Sequence, residues 1–537
     1  MKSIKDFTVN DDDLKKMSIT DFYKDQEIFI TGGSGFIGKA LIEKLLRSFP
    51  SFKKMFILLR PKKDKTADER LQELLDSSIF QRARDEQPES FKKIHAIPGD
   101  CRELAMKTSN ASKTESFKKI HAIPGDCREL GLSISNEDLK RIENVTIVFH
   151  SAANVRFDVP LKDSIFVNLR GTHEILKIAE TMTKLKAFIH VSTLYSNVDQ
   201  PCIYEKILPN SADWRTTIKL AETLDGKTLD ILFKKYSSNH PNTYTFAKSL
   251  SEHVVNDYKN KLPVLVYRVA MVITSVEEPS AGWLDNLNGP CGLFLTASLG
   301  LSRTVYASPH AKLNMIPCDV TVHGLIISAC AVVSDSNFAN NSKDSVIVLN
   351  SCYSNESLTP LWKLLRYSEI LAKENPSEKM VWLPSRNTTS SFAGFFIRFL
   401  FGQLALAILL DVFVRLKIGK PLLVKLQRRI FFLNKILHKF MSSDWMVEND
   451  KYKSLSALIT QEDKNKLNLR LNFAVDKEFL KNGLAGGMKF ILNVPTEASE
   501  STILRYKILF ILNYLLQFVT FICLVWIIKK IVFYLLY

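Results

Sequence analysis

Cysteine is sparse in this chain, eight in 537 residues, and no two of them are spaced Cys-x-x-Cys. The ten histidines never fall in a His-Glu-x-x-His pattern. Zinc and dithiol readings therefore have no support, and no metal site is expected. Scattered reduced thiols suit a protein facing the cytosol. An apolar signal core is also missing from the polar amino terminus, so no cleaved export signal is expected.

Acid is missing where base is dense. Residues 412–440 hold eight Lys/Arg and no Asp or Glu, half of the net charge of +16. Interleaved with Phe431-Phe-Leu433, this segment reads as a basic surface element on an anionic bilayer, with a solvated helical face as the alternative. Nucleic-acid binding is not expected, because the charge accompanies aliphatic runs and no recognition motif. Ile508 to Ile528 is an uncharged run of 21 residues, long enough as a helix to cross a ~30 Å hydrocarbon layer. It reads as a membrane anchor rather than a buried helix because it is apolar on every face. Arg505 and Lys507 before it balance Lys529 and Lys530 after it, so charge leaves its orientation open. A second apolar stretch, Phe399–Leu410, follows Arg398 and is too short to span alone.

What is present begins with a turn. Glu27-Ile-Phe-Ile30 reads as a buried strand and Lys39 to Arg47 as an amphipathic helix. Between them lies Thr31-Gly32-Gly33-Ser34-Gly35-Phe36-Ile37-Gly38. Glycines at such a strand-to-helix turn let the backbone approach a pyrophosphate, which the helix N-terminus attracts. The next strand, Met55–Leu59, ends in Arg60 with Lys62 and Lys63 behind it. A guanidinium at that point suits a 2′-phosphate, so NADPH is expected rather than NADH.

Farther on, Val145–His150 is another apolar strand, followed by the small residues Ser151 and Ala152, past which a cofactor can run close to the backbone. His150 reads as a packed strand-end residue. The strand Lys186–Val191 delivers Ser192 and Thr193, either of which can polarise a carbonyl. Of the 15 tyrosines, only Tyr244 has a lysine four residues on, Lys248, a spacing that puts both on one helix face. A free phenol titrates near ~10, and a neighbouring ammonium is expected to lower that value toward a useful range for proton transfer.

Taken in order, these segments resemble the extended short-chain dehydrogenase/reductases, and among them the alcohol-forming fatty acyl-CoA reductases. The resemblance rests on LLRPKK (58–63), VFHSAANVRFD (148–158), HVSTLYSN (190–197), YTFAKSLSE (244–252), GWLDNLNGP (282–290) and SSDWMVEND (442–450). It implies NADPH-dependent, two-step reduction of a long-chain acyl-CoA to a primary alcohol, with release of CoA at the aldehyde level. Tyr244, Lys248 and Ser192 or Thr193 are the implied catalytic groups. Lys248 would also hold the nicotinamide ribose, with Asn168 supporting it. The implied fold is α/β, a doubly wound parallel sheet of Rossmann type with a smaller helical region and a C-terminal membrane helix. Residues 1–24 are read as a lead, 25–275 as the NADPH-binding domain, 276–375 as substrate-shaping segments, 376–500 as the helical region and 501–537 as the anchor. Asp319 is read as structural. A membrane location follows, in the endoplasmic reticulum or peroxisome, with the catalytic part facing the cytosol and membrane lipid as a partner.

Two features depart from the family. Glu89–Leu104 recurs letter for letter at Glu115–Leu130, too few copies for a solenoid. Only one of Asp100 and Asp126 can occupy the adenine-side position, and Asp126 is favoured because its copy leads straight into Gly131-Leu-Ser133. Long surface insertions cost a fold little. The second departure is Val269, where the family carries proline, and a modest shift of the nicotinamide-side loop is expected. Two other readings stay open. One is a membrane-tethered hydroxysteroid dehydrogenase or sugar-nucleotide epimerase of the same superfamily, against which the DWMVEND segment counts. The other is a non-catalytic NADPH-binding lipid-surface protein, against which intact Tyr244 and Lys248 count.

Overall fold

The computed structural model describes residues 18–61, 65–88, 120–237, 240–334, 345–416 and 419–536. In chain order the strands are β1 (Glu27–Thr31), β2 (Lys54–Leu59), β3 (Ile120–Pro124), β4 (Ile147–His150), β5 (Ala187–Thr193), β6 (Cys202–Ile203), β7 (Val264–Val269), β8 (Met271–Ile273), β9 (Thr304–Tyr306), β10 (Met315–Pro317), β11 (Ile347–Ser351), β12 (Asn387–Thr389) and β13 (Met446–Val447). The described chain forms two units. One comprises Met1–Ser280, Asn314–Leu358 and Trp445–Phe473; the other comprises Ala281–Leu313, Thr359–Asp444 and Ala474–Tyr537.

The first unit is built on a parallel seven-stranded sheet in the order β11-β7-β5-β4-β1-β2-β3. Strands β1, β4, β5 and β7 are buried along their whole length, as continuous Val/Ile/Phe runs must be when helices cover both faces. The strand order reverses between β1 and β4, which leaves a crevice at their carboxyl ends, the usual ligand position in a doubly wound sheet. Helix α1 (Phe36–Ser48) follows β1. Helix α2 (Leu161–Ser164) runs through a π turn, Ile165–Arg170, into α3 (Gly171–Ala179). Helix α4 (Thr243–Asp257) carries Tyr244 and Lys248, and α5 (Cys318–Ser334) carries Asp319, whose carboxylate accepts from the backbone N–H groups of Val276, Glu277 and Glu278.

The repeat resolves in favour of its second copy. Ile120–Pro124 forms β3 and pairs with β2 from Met55 to Leu59, and Gly125 is locked in place because a Cβ there would lie 2.5 Å from Leu58 and 2.7 Å from the Leu132 carbonyl. The first copy, 89–104, falls outside the described residues, as do Lys62 and Lys63.

In the second unit, helices α6 (Phe392–Phe399) and α7 (Ala405–Leu416) join through a π turn at Leu400–Leu404 into one continuous helical run. The apolar stretch is therefore longer than Arg398 suggests, and Phe392–Leu416 is long and apolar enough to cross a membrane. Helix α8 (Leu423–Leu437) comes next, and α9 (Glu500–Leu536) passes through the two lysines without a break.

Candidate active site

Three strand ends meet at the crevice. Gly32 follows β1 with φ +75, and a Cβ there would sit 2.6 Å from the Ala152 nitrogen; one at Gly38 would sit 2.2 Å from the Gly32 carbonyl. No side chain fits either place. Gly35 precedes α1 and offers no side-chain cap, and the N-terminus of such a helix attracts an anion. These features fit a dinucleotide pyrophosphate held by residues 31–38. Ser151 donates to the Thr31 carbonyl at 2.8 Å, tying the end of β4 to the glycine turn.

At the outer end of β2, Arg60 is 3.7 Å from the Asp126 carboxylate and half-exposed. The two side chains that the sequence offered for the adenine-side ribose are thus neighbours. His150, by contrast, is fully buried. Its Nδ1 meets Thr31 Oγ1 at 2.8 Å and its Nε2 meets Thr172 Oγ1 at 3.1 Å. Burial, with the nearby Lys248 cation, pushes its pKa down to about 3, so the ring stays neutral and works as packing.

Asn168 sits in the π turn, where one extra residue per turn swings a side chain out of helical register. Its amide oxygen accepts from the Asn154 N–H at 2.8 Å, and its amide nitrogen donates to the Asn154 carbonyl at 3.1 Å. One side chain therefore pairs with both polar groups of Asn154, as a strand neighbour would, and fixes the loop after Ser151 and Ala152.

Tyr244 and Lys248 share one face of α4, whose N-cap Asn242 accepts from the Thr245 N–H at 2.9 Å. The Thr193 side chain is close enough to Tyr244 to favour its phenolate, and the Phe157 ring lies 5.7 Å from the Tyr244 ring. Lys248 is almost fully buried and donates to the Val191 carbonyl at 2.7 Å. Here the structure differs from expectation. The ammonium is spent on that carbonyl, and burial pushes the Tyr244 pKa up, to about 12, against the smaller lowering by Thr193. The phenol is held protonated. Burial also lowers Lys248 to about 8, opposed by the Glu252 carboxylate.

Ser192 and Thr193, which the sequence left equivalent, part company. Ser192 donates to Glu252 Oε1 at 2.6 Å, and Glu252 forms a fully buried pair with Arg268 at 2.7 Å. Sequence reasoning passed over Glu252 and Arg268, although Glu252 stands one further helical turn along the Tyr244 face and closes the quoted YTFAKSLSE segment. Glu205 was missed as well. Its buried carboxylate accepts from the N–H groups of Asn350, Lys451 and Tyr452 at 2.9, 2.6 and 3.0 Å, and burial raises its pKa to about 7. Glu205 thus fixes the residues just after the DWMVEND segment, whose β13 pairs with β6 and whose Trp445 ring lies 5.6 Å from Tyr195, two residues past Thr193.

The family profile described as male sterility protein matches twice. Its NAD-binding part covers residues 30–108 and 102–325, with the break falling in the repeat, and its Sterile part covers 403–494. Fatty acyl-CoA reductase 1 of Xenopus laevis is 32% identical over 478 residues, 89% of this chain and 87% of that protein. The chain belongs to the fatty acyl-CoA reductase family. Its human relative of the same name is 31% identical over the same shares, and the Drosophila melanogaster fatty acyl-CoA reductase wat is 30% identical over 96% of this chain and 93% of its own. Among solved structures, the reductase domain of a nonribosomal peptide synthetase from Mycobacterium tuberculosis superposes with a TM-score of 0.55 at 18% identity, covering 90% of this chain and 99% of that one. At that identity the likeness speaks for the fold. As a member of this family the chain is an NAD(P)-dependent oxidoreductase.

Proposed function

We propose that the protein reduces long-chain acyl-CoA to fatty alcohol with NADPH, and that it does so at a membrane surface facing the cytosol, in the endoplasmic reticulum or peroxisome. The observation that carries this reading is the placing of Thr193 at the end of β5 beside Tyr244 and Lys248 on α4, with the Lys248 ammonium tied to the Val191 carbonyl of the same strand at 2.7 Å. Residues 31–38, Arg60, Asp126, Ser151, Ala152, Asn168 and Lys248 would hold the cofactor. The exposed Arg60 guanidinium, 3.7 Å from the Asp126 carboxylate, favours a 2′-phosphate.

Bound reduced nicotinamide supplies hydride to the carbonyl carbon, once at the thioester and once at the aldehyde. The chain's own groups govern the oxygen. Thr193 and Tyr244 donate hydrogen bonds to the carbonyl oxygen, strengthening as negative charge builds there. Tyr244, held in its protonated form, passes its proton to that oxygen. After the first reduction the hemithioacetal O–H returns its proton to the Tyr244 phenolate, the oxygen re-forms the carbonyl as the carbon–sulfur bond breaks, and CoA leaves as thiolate. The same two hydroxyls then serve the aldehyde. Lys248, with donors left beyond the one given to the Val191 carbonyl, orients the ribose.

The test supplies membranes bearing the protein with NADPH or NADH and acyl-CoAs of several chain lengths, with products read by gas chromatography. Alcohol from wild type but not from Tyr244→Phe is expected. Turnover of a sterol or a nucleotide sugar in place of acyl-CoA would overturn the reading.

A further inference from the structure

Within the second unit, the first turns of α9 are docked, and beyond Asn513 several apolar side chains are exposed. Arg505 donates to the carbonyls of Glu378 and Met380 at 2.8 and 3.0 Å, and Asn513 Oδ1 accepts from Trp382 Nε1 at 2.9 Å. Tyr506 and Leu509 pack on Trp382, Leu383, Leu406 and Leu410, so α7 lies directly against the docked turns. Past Asn513, Tyr514, Leu515, Phe518 and Val519 are exposed. The uncharged window 508–528 begins inside the docked part. If it fills a ~30 Å hydrocarbon layer at ~1.5 Å per residue, then Leu509 and Asn513 lie within its first two turns. The α7 residues that touch them lie at the same depth.

The outer face of that helix is dressed for lipid. Phe396, Ile397, Phe401, Ile408, Leu409 and Phe413 are all exposed, Phe401 by 71%. Yet α8 folds back onto the run Phe392–Leu416. The Asp411 carboxylate accepts from the Leu422, Leu423 and Val424 N–H groups at 3.2, 3.1 and 2.9 Å, capping α8 and folding it back, with Phe431 4.9 Å from Phe399 and 5.6 Å from Phe395. Helix α8 has 15 residues, about 22 Å of rise, too short for a return crossing. Its Lys425, Arg428, Arg429 and Lys435 are exposed, and such charges are expelled from hydrocarbon.

We propose that α6, α7 and α8 form an in-plane wedge. It sinks the apolar outer face of α6 and α7 to headgroup depth in an anionic phospholipid leaflet, at the foot of α9, and sets the α8 cations against lipid phosphates. The wedge rests on the membrane reading of α9, and the experiment separates the two. The full chain is placed in phosphatidylcholine/phosphatidylserine vesicles with diazirine lipids carrying the probe near the headgroup or near the chain end. Cross-linked peptides are then mapped by mass spectrometry. The shallow probe is expected to label 392–416 to within about a factor of two of its yield on α9, the deep probe α9 alone. Because Phe401 and Phe413 are exposed, the double variant F401D/F413D should keep its fold and α9 labelling while losing the shallow label. Labelled α9 with an unlabelled 392–416 overturns the wedge and leaves the anchor. Deep labelling of 392–416 would mean a crossing helix and overturns it too; no labelling of either sinks both.

Discussion

Ser192 points its hydroxyl proton at Glu252, 2.6 Å away, whereas its neighbour Thr193 is the one whose side chain favours the Tyr244 phenolate. Adjacent residues on one strand face opposite sides of the sheet, and here the two sides carry different duties. Thr193→Val is expected to lower kcat roughly 10²-fold, the scale of losing one donor to a developing oxyanion. Ser192→Ala should cost far less in kcat, because Arg268 still satisfies Glu252. Steady-state kinetics of the two variants side by side decide it, and equal losses would refute the assignment.

Tyr244→Phe keeps the ring against Phe157 but removes the proton. A fall of ~10²–10⁴ in kcat is expected, with NADPH binding, read by fluorescence titration, close to wild type. A variant that binds no cofactor would instead place the phenol in the binding site.

Lys248 has a folded pKa of about 8, below the ~10.4 of a free lysine. Between those values the unfolded chain holds a proton that the folded chain has released, so this group's contribution to stability rises with pH across that window and is unfavourable at neutrality. Activity runs the other way, since the ammonium is lost as pH climbs through about 8. Lys248→Met is therefore expected to abolish turnover while its Tm at pH 7 equals or exceeds wild type, measured by scanning fluorimetry. A clear drop in Tm would mean that the buried cation is a net support.

The local features were legible from residues alone. Alternation of apolar strands with amphipathic helices, the glycine turn and the Tyr244–Lys248 spacing are short-range patterns with one physical meaning each. What escaped depends on distant chain. Glu252 is visible as the next turn of the same helix face, but its role is set by Arg268 on β7, and nothing in either residue announces the other. β11 adds the edge of the main sheet after an excursion of some seventy residues from β8, and Glu205 holds a segment some 245 positions away. The upward pKa of Tyr244 was also beyond reach, because whether the Lys248 ammonium faces the phenol or a carbonyl is decided by packing.

Arg60 is half-exposed and paired with Asp126 at 3.7 Å, a contact worth little by itself in solvent. Arg60→Ala should leave Tm unchanged, raise KM for NADPH about tenfold, and barely alter KM for NADH. Equal effects on both cofactors would remove the argument for a 2′-phosphate.

The repeat allows a sharper experiment than excision. Because 89–104 and 115–130 are identical, deleting 89–114 or deleting 105–130 yields the same polypeptide, so deletion measures only whether the extra 26 residues burden the protein. Point substitution in the full chain distinguishes the copies. Asp126 sits in the fold beside Arg60, with its backbone N–H donating to the Leu132 carbonyl at 2.8 Å and its carboxylate accepting from the Arg128 N–H at 3.1 Å. Asp126→Ala loses the carboxylate's bond to the Arg128 N–H and is expected to weaken NADPH binding roughly tenfold, on the order of 1.5 kcal/mol for a hydrogen bond to a charged group. Asp100→Ala should match wild type in the same titration. If the two variants weaken binding equally, the copies exchange places in β3 and the chain populates two registers of its insertion; if only Asp100→Ala does, the first copy holds the strand.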